Sequence, residues 1–178
     1  MPLSVDNYIG NNMLTNHKDI KAWLDSMHIK NYVINVTGTI TVDDDVNISG
    51  RNLTKIPVQF RIVYGDFNCA YNKLDSLEGS PREIGGNFNC VDNGLKSLEG
   101  SPREVGGDFA CSYNRLKSLE HCPIAVGGDF NCLDNCLDSL EHCPIDVGGD
   151  FNCLDNRFIS APNCDAFING YLYWEWRC

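Results

Sequence analysis

The sequence predicts an α/β solenoid, a chain wound into stacked coils that share one continuous core. Three observations predict it: a fixed period, an alternation of inward and outward residues within that period, and atypical units at both ends. The period is set by Cys69, Cys90, Cys111, Cys132 and Cys153, each 21 residues from the next. Phe67, Phe88, Phe109, Phe130 and Phe151 keep the same spacing. So do Asn72, Asn93, Asn114, Asn135 and Asn156, and the column Leu74, Leu95, Leu116, Leu137 and Phe158. A repeat of this length is one supersecondary unit that buries its apolar face only against its neighbours.

The unit reads V-G-G-D-F-N-C-x-x-N-x-L-x-S-L-E-x-x-P. Its segment F-x-C-x-x-N-x-L follows the leucine-rich-repeat core L-x-L-x-x-N-x-L, with Phe and Cys in place of the two strand leucines. In Phe67-Asn68-Cys69, strand alternation points Phe and Cys inward and Asn outward. Cys is small, apolar and suited to a tight buried column. The Asn column just after the strand has an amide suited to backbone groups left unpaired by the turn. Gly85-Gly86, Gly106-Gly107, Gly127-Gly128 and Gly148-Gly149 are expected to take positive φ at the corner before the strand. The return arm S-L-E-x-x-P is short and holds proline, so it is expected to be extended or a single 3₁₀ turn. The predicted fold is therefore a leucine-rich-repeat-like, right-handed solenoid with a parallel β-sheet on one side.

The ends follow by counting. One period before Phe67 and Cys69 stand Val46 and Ile48, with Leu53 and Ile56 in the leucine columns, so Asp44 to Tyr64 is a degenerate first coil. One period after Phe151 and Cys153 stand Leu172 and Trp174, a last strand closed by an aromatic. Upstream, Tyr32–Val36 and Thr39–Val42 are β-rich runs broken at Gly38 and predict a hairpin. Asn16 precedes Asp19–Met27, where Ile20, Trp23, Leu24 and Met27 fall at helical spacing, so a helix is expected over the first coil. The chain thus divides into an N-terminal helix and β-hairpin cap at 1–43, a solenoid at 44–170 and an aromatic cap strand at 171–178.

Charge narrows the function. With 24 acidic and 14 basic residues, the 178-residue chain carries a net charge of −10. That argues against direct nucleic-acid binding, which needs a basic field, and against docking on anionic lipid. No apolar run is long enough to cross a bilayer. Met1 to Thr15 lack the charged start and apolar core of a secretory signal. The expected compartment is reducing, and the ten cysteines are expected to be free thiols.

The stretch from Ile20 to about Val147 resembles a family of leucine-rich-repeat-like proteins encoded by tailed bacteriophages and prophages. The resemblance rests on the leading IKAWLDSMHIKNYVINVTGTITVDDDVNISGRNLTKIPVQF, above all Asn52 to Pro57, joined to the repeated GGDFNC..N.L.SLE..P..V. In such proteins a helix, a hairpin and a first coil of this kind precede the array. The usual member is richer in Tyr and Ser around the strand; here Asp134 and Asp155 stand at the strand exit and His-Cys pairs enter two return arms. The resemblance implies the architecture, a viral origin and hence the host bacterial cytoplasm. It implies no reaction, since these repeats generally serve as binding surfaces.

The outward columns of the strand carry the candidate site. Before Phe stand Asp66, Asn87, Asp108, Asp129 and Asp150. Between Phe and Cys stand Asn68, Asn89, Ala110, Asn131 and Asn152. Two residues after Cys stand Tyr71, Asp92, Tyr113, Asp134 and Asp155. Such a face is acidic and amide-rich, and its two tyrosines are the residue type that anchors interfaces. It suits a basic protein partner, and inhibition of a host antiviral-defence or nucleic-acid-processing factor is the sharpest expectation. The competing explanation is a solvated face whose charge keeps sheet edges from aggregating. Tyr171, Tyr173 and Trp176 either extend this face, make a dimer contact or only close the last coil.

No enzyme is expected. Stacked carboxylates about 5 Å apart would suit a retaining glycosidase, but a repeated column supplies many equivalent pairs and no distinct acid. His17, His28, His121 and His142 fit no nucleophile–base arrangement. GGDFNCLDN lacks the third glycine of the calcium nonapeptide, and no cofactor is expected. A second cysteine column, Cys122, Cys143 and Cys164, lies in the return arm beside His121 and His142. These are zinc-type ligands, which makes a zinc-dependent interaction module one alternative; thiol packing or oxidation between coils is the other reading of that column. A structural or adhesive virion component is a further alternative. Cys136 replaces Lys73 and Arg115 and is expected to be the exposed, first-reacting thiol.

Overall fold

Asn16 supplies the side-chain oxygen that accepts from Asp19 N at 2.9 Å, and helix α1 runs from His17–Ser26 behind that cap. Ile20, Trp23 and Leu24 are buried on its inner face. The edge of Trp23 meets Phe60 with ring centroids 6.4 Å apart, so the helix closes the N-terminal end of the core. The computed structural model describes residues 13–175. Most of the Met1–Thr15 segment, Trp176 and Cys178 lie outside the described residues.

Strands β1 (Tyr32–Ile34) and β2 (Ile40–Val42) form the expected antiparallel hairpin, with Gly38 at φ +80° in its turn. Each following coil contributes two very short strands. One set is β4 (Phe60–Val63), β6 (Glu83–Ile84), β8 (Glu104–Val105), β10 (Ala125–Val126), β12 (Asp146–Val147) and β14 (Phe167–Ile168). With the hairpin these make an eight-stranded sheet, parallel from β2 onward. The other set is β3 (Val46–Asn47), β5 (Phe67–Asn68), β7 (Phe88–Asn89), β9 (Phe109–Ala110), β11 (Phe130–Asn131), β13 (Phe151–Asn152) and β15 (Leu172–Tyr173), a seven-stranded parallel sheet. The register is one period throughout, with Phe67 opposite Phe88 and Phe88 opposite Phe109. The molecule is thus a parallel β-solenoid of about six turns.

The second sheet is where the structure departs from a one-sheet leucine-rich-repeat reading. Ile84, Val105, Val126 and Val147 end the return arm, and their buried side chains bring a second ladder into register. The rest of each arm carries no helical turn among the described residues.

Between the sheets lies one core. Phe67, Phe88, Phe109 and Phe130 stack with centroids 5.3–5.6 Å apart and planes within 11° of parallel. Phe151 ends the stack edge-on at 4.8 Å. Such pairs contribute about 0.5–1.5 kcal/mol each beyond the area they bury. Cys69, Cys90, Cys111, Cys132 and Cys153 are fully buried beside them, and Leu74 to Phe158 fill the next column. Val46, Ile48, Leu53 and Ile56 are buried as the count required. At the far end Leu172 and Trp174 are half-buried against the core.

The Asn column is the polar spine of the core. Asn114 Nδ2 donates to Cys90 O of the preceding coil and to Cys111 O and Ser112 O of its own, while its Oδ1 accepts from Leu95 N. Asn93, Asn135 and Asn156 repeat the pattern one coil to either side and beyond. Every coil is thereby bonded to the one before it through a side chain, as buried polar groups require.

Candidate binding face

The three outward columns separate once their bonds are followed. In the first column, each side-chain Oδ1 accepts from the backbone N–H one period ahead. Asn87 N donates to Asp66, Asp108 N to Asn87, Asp129 N to Asp108, Asp150 N to Asp129 and Tyr171 N to Asp150, all at 2.7–2.8 Å. Asp45 begins the series by accepting from Asp66 N at 2.8 Å. A carboxylate accepting from an N–H is a charge-assisted bond, so this column is a ladder that holds the coils in register. The column remains largely exposed, and at its C-terminal end the Asp150 carboxylate also accepts from the Tyr173 phenol.

This ladder explains the glycine pairs, and it corrects the expectation made for them. None of Gly85, Gly86, Gly106, Gly107, Gly127, Gly128, Gly148 and Gly149 has positive φ. What they lack is room. A Cβ on Gly128 would strike Asp108 Oδ1, and one on Gly149 would strike Asp129 Oδ1. A Cβ on Gly106 or Gly127 would strike the glycine carbonyl of the preceding coil. The G-G-D motif is one device: two glycines let the coils approach closely enough for each Asp to reach over the next corner.

The second column also bonds locally. Oδ1 of Asn68, Asn89, Asn131 and Asn152 accepts from the backbone N two residues on, at 3.0–3.1 Å. These bonds close the turn that leaves the strand. Ala110 breaks the series, and Ser112 Oγ instead donates to Asn131 Oδ1 at 2.8 Å.

The third column is different in kind. Tyr71, Asp92, Tyr113, Asp134 and Asp155 all have left-handed backbone, with φ between 51° and 57°. Gly50 holds the same place in the first coil at φ +64°. The strand exit is therefore the corner that needs positive φ, and glycine occupies it only once. A non-glycine residue there costs about 1–2 kcal/mol, least for Asp, whose short polar side chain suits that conformation. Tyr has no such advantage, yet Tyr71 and Tyr113 occupy it with 63% and 51% of their surface exposed. The side chains of all five form no hydrogen bond or ion pair among the described residues.

The face continues at its C-terminal end in aromatics. Tyr171 and Tyr173 take the register positions of Asp150 and Asn152, with ring centroids 6.1 Å apart. Both are exposed, and the Tyr173 phenol is held above its ordinary range by desolvation and by the nearby Asp150 carboxylate.

A second left-handed corner lies in the return arm, at Gly79, Gly100, His121 and His142. His121 and His142 thus replace glycines and do not converge on a shared metal. His121 lies 3.8 Å from Glu120, and among the described residues no three His, Cys, Asp or Glu side chains group to hold an ion. Cys136 is half-buried rather than exposed. No helix among the described residues is long and apolar enough to cross a membrane.

The sequence named all three outward columns but could not rank them, since the bonds that absorb the first two are made one period or one turn away. A signal for the third was present: Gly50 in register with Tyr71 marks that corner as one demanding glycine.

Comparison with known proteins leaves the fold to stand on its own geometry: no protein-family model, no curated protein and no solved structure matches this chain.

Proposed function

We propose that the chain is a non-enzymatic protein-binding module of phage origin, and that it docks a basic host protein on the strand-exit column and inhibits it. The observation that carries this reading is the unbonded column Tyr71, Asp92, Tyr113, Asp134 and Asp155. Its residues hold a costly backbone conformation, and among the described residues no side-chain bond explains their identity. Exposed side chains kept at strained backbone positions are characteristic of ligand-contacting sites. The carboxylates of Asp66, Asp108, Asp129 and Asp150 add a negative field beside it, and Tyr171 and Tyr173 flank it. A cationic surface is the complement of such a face, and a factor that works on nucleic acid or in antiviral defence presents one.

Capture from bacterial host lysate tests this reading with two baits. One is the wild-type chain. The other carries Asp92→Lys, Asp134→Lys and Asp155→Lys with Tyr71→Ala and Tyr113→Ala, all outside the ladder. The expected result is a basic protein retained by the first bait, released by raised salt and lost from the second. Recovery of no partner, or of one held equally by both baits, contradicts the reading.

A further inference from the structure

The return arms carry a second series that the binding face does not use. Ser80, Ser101, Cys122, Cys143 and Cys164 share one register position. Ser80 Oγ and Ser101 Oγ are buried with no hydrogen-bond partner, so the slot is poorly suited to a hydroxyl. Cysteine fills it in the last three arms. Cys122 Sγ donates to His142 O at 3.1 Å and is half-buried. Cys143 and Cys164 face one another, with their sulfurs 3.5 Å apart.

Among the described cysteines, only this pair brings two sulfurs into contact. Cys143 and Cys164 are half-buried, as Cys122 and Cys136 are, and Cys143 lines a cleft of about 520 Å³ with His142, Pro144, Pro162 and Asp165. The proton shared across this contact draws the Cys143 pKa down to about 6, helped by the backbone N–H groups of Ala166 and Asp165 and opposed by partial burial. Cys164 is pushed up by the same contact. Burial instead drives the core Cys69 up to about 12, which leaves it an inert thiol. A thiolate in a cleft with a second thiol at contact distance is the arrangement of an attacking and a resolving cysteine. Adjacent coils pair three residues further on, at Asp146 and Phe167, so the backbones already lie at a separation a disulfide spans.

We propose that Cys143 and Cys164 form a redox-active dithiol that exchanges with low-molecular-weight disulfides entering the C-terminal cleft. Cys143 thiolate attacks one sulfur of the incoming disulfide, forming a mixed disulfide and expelling one thiolate. Cys164 loses its proton to solvent and attacks Cys143 Sγ, which closes the intramolecular bond and expels the second thiolate. The two cysteines are oxidised by two electrons, and the small disulfide is reduced to two thiols. The product ties together the return arms of two successive coils.

The test uses the full chain, first reduced and then equilibrated with oxidised and reduced glutathione at graded ratios. Free thiols are capped and the protein digested with trypsin; Arg157 separates the two cysteines into different peptides. The expected product is a linked pair of peptides holding Cys143 and Cys164, formed with loss of two thiols. Cys164→Ser is expected to stop at a glutathione adduct on Cys143, and Cys143→Ser to give neither product. No linked pair in the wild-type chain at any ratio overturns the proposal. So does a Cys122–Cys143 link in its place, or preferential glutathione addition at Cys136.

Discussion

The first and third outward columns lie a few residues apart on one face and carry the same acidic side chain, yet they differ in everything that follows from bonding. Asp108 accepts from the next coil at 2.8 Å and forces Gly128 to remain a glycine. The Asp134 side chain accepts no hydrogen bond among the described residues and sits on a backbone conformation that glycine would hold at lower cost. The difference teaches that a repeated charge in a solenoid is not by itself a sign of binding. A column becomes a candidate surface when the period fails to explain it.

That contrast can be broken in steps. The largest effect is expected in the core spine rather than on the face. Asn114→Ala removes four bonds from the buried spine and orphans Leu95 N, so a loss of roughly 3 kcal/mol is expected by urea unfolding. Gly128→Ala comes next: the added methyl displaces the Asp108 carboxylate from its bond to Asp129 N, and roughly 2 kcal/mol should be lost. Asp108→Ala removes the same bond without the clash and should cost about 1 kcal/mol. If Gly128→Ala proves neutral, the coils are not held at the separation described.

Tyr113→Gly sharpens the comparison from the other side. It relieves the left-handed penalty while loosening the unfolded chain, so stability should hold or rise by up to about 1 kcal/mol. Capture of a basic partner should nevertheless fall. A mutation that leaves the fold intact and removes binding separates the surface from its support. A destabilised Tyr113→Gly would show that the ring packs on something the exposed position does not reveal.

Much of this architecture could be read from the period. The Phe, Cys, Asn and Leu columns, the degenerate first coil at Val46 and Ile48, the hairpin about Gly38 and the Asn16 cap all follow from spacing and local chemistry. Two things did not. The second sheet is not legible in the sequence because its strands within the repeats are two residues long, and Ile84 or Val105 alone shows no alternation. Nor is the ladder, because its bonds join residues 21 apart, as Asp108 N does with Asn87. Reading the glycine pairs as sources of positive φ was the natural local inference. The true constraint is the backbone and carboxylate of the neighbouring coil, which no local pattern displays. For the candidate site, the residue types were legible, but the sorting of ladder from free surface needed the bonds.

The division between the two columns is tested most directly by urea unfolding of two triple variants, read at the transition midpoint. One carries Asp108→Ala, Asp129→Ala and Asp150→Ala; the other carries Asp92→Ala, Asp134→Ala and Asp155→Ala. Each removes three negative charges, so general repulsion changes alike. The account predicts a clear fall in midpoint for the first, equivalent to about 3 kcal/mol, and a shift within about 0.5 kcal/mol for the second. Equal destabilisation of the two, or a stable first variant, would contradict it.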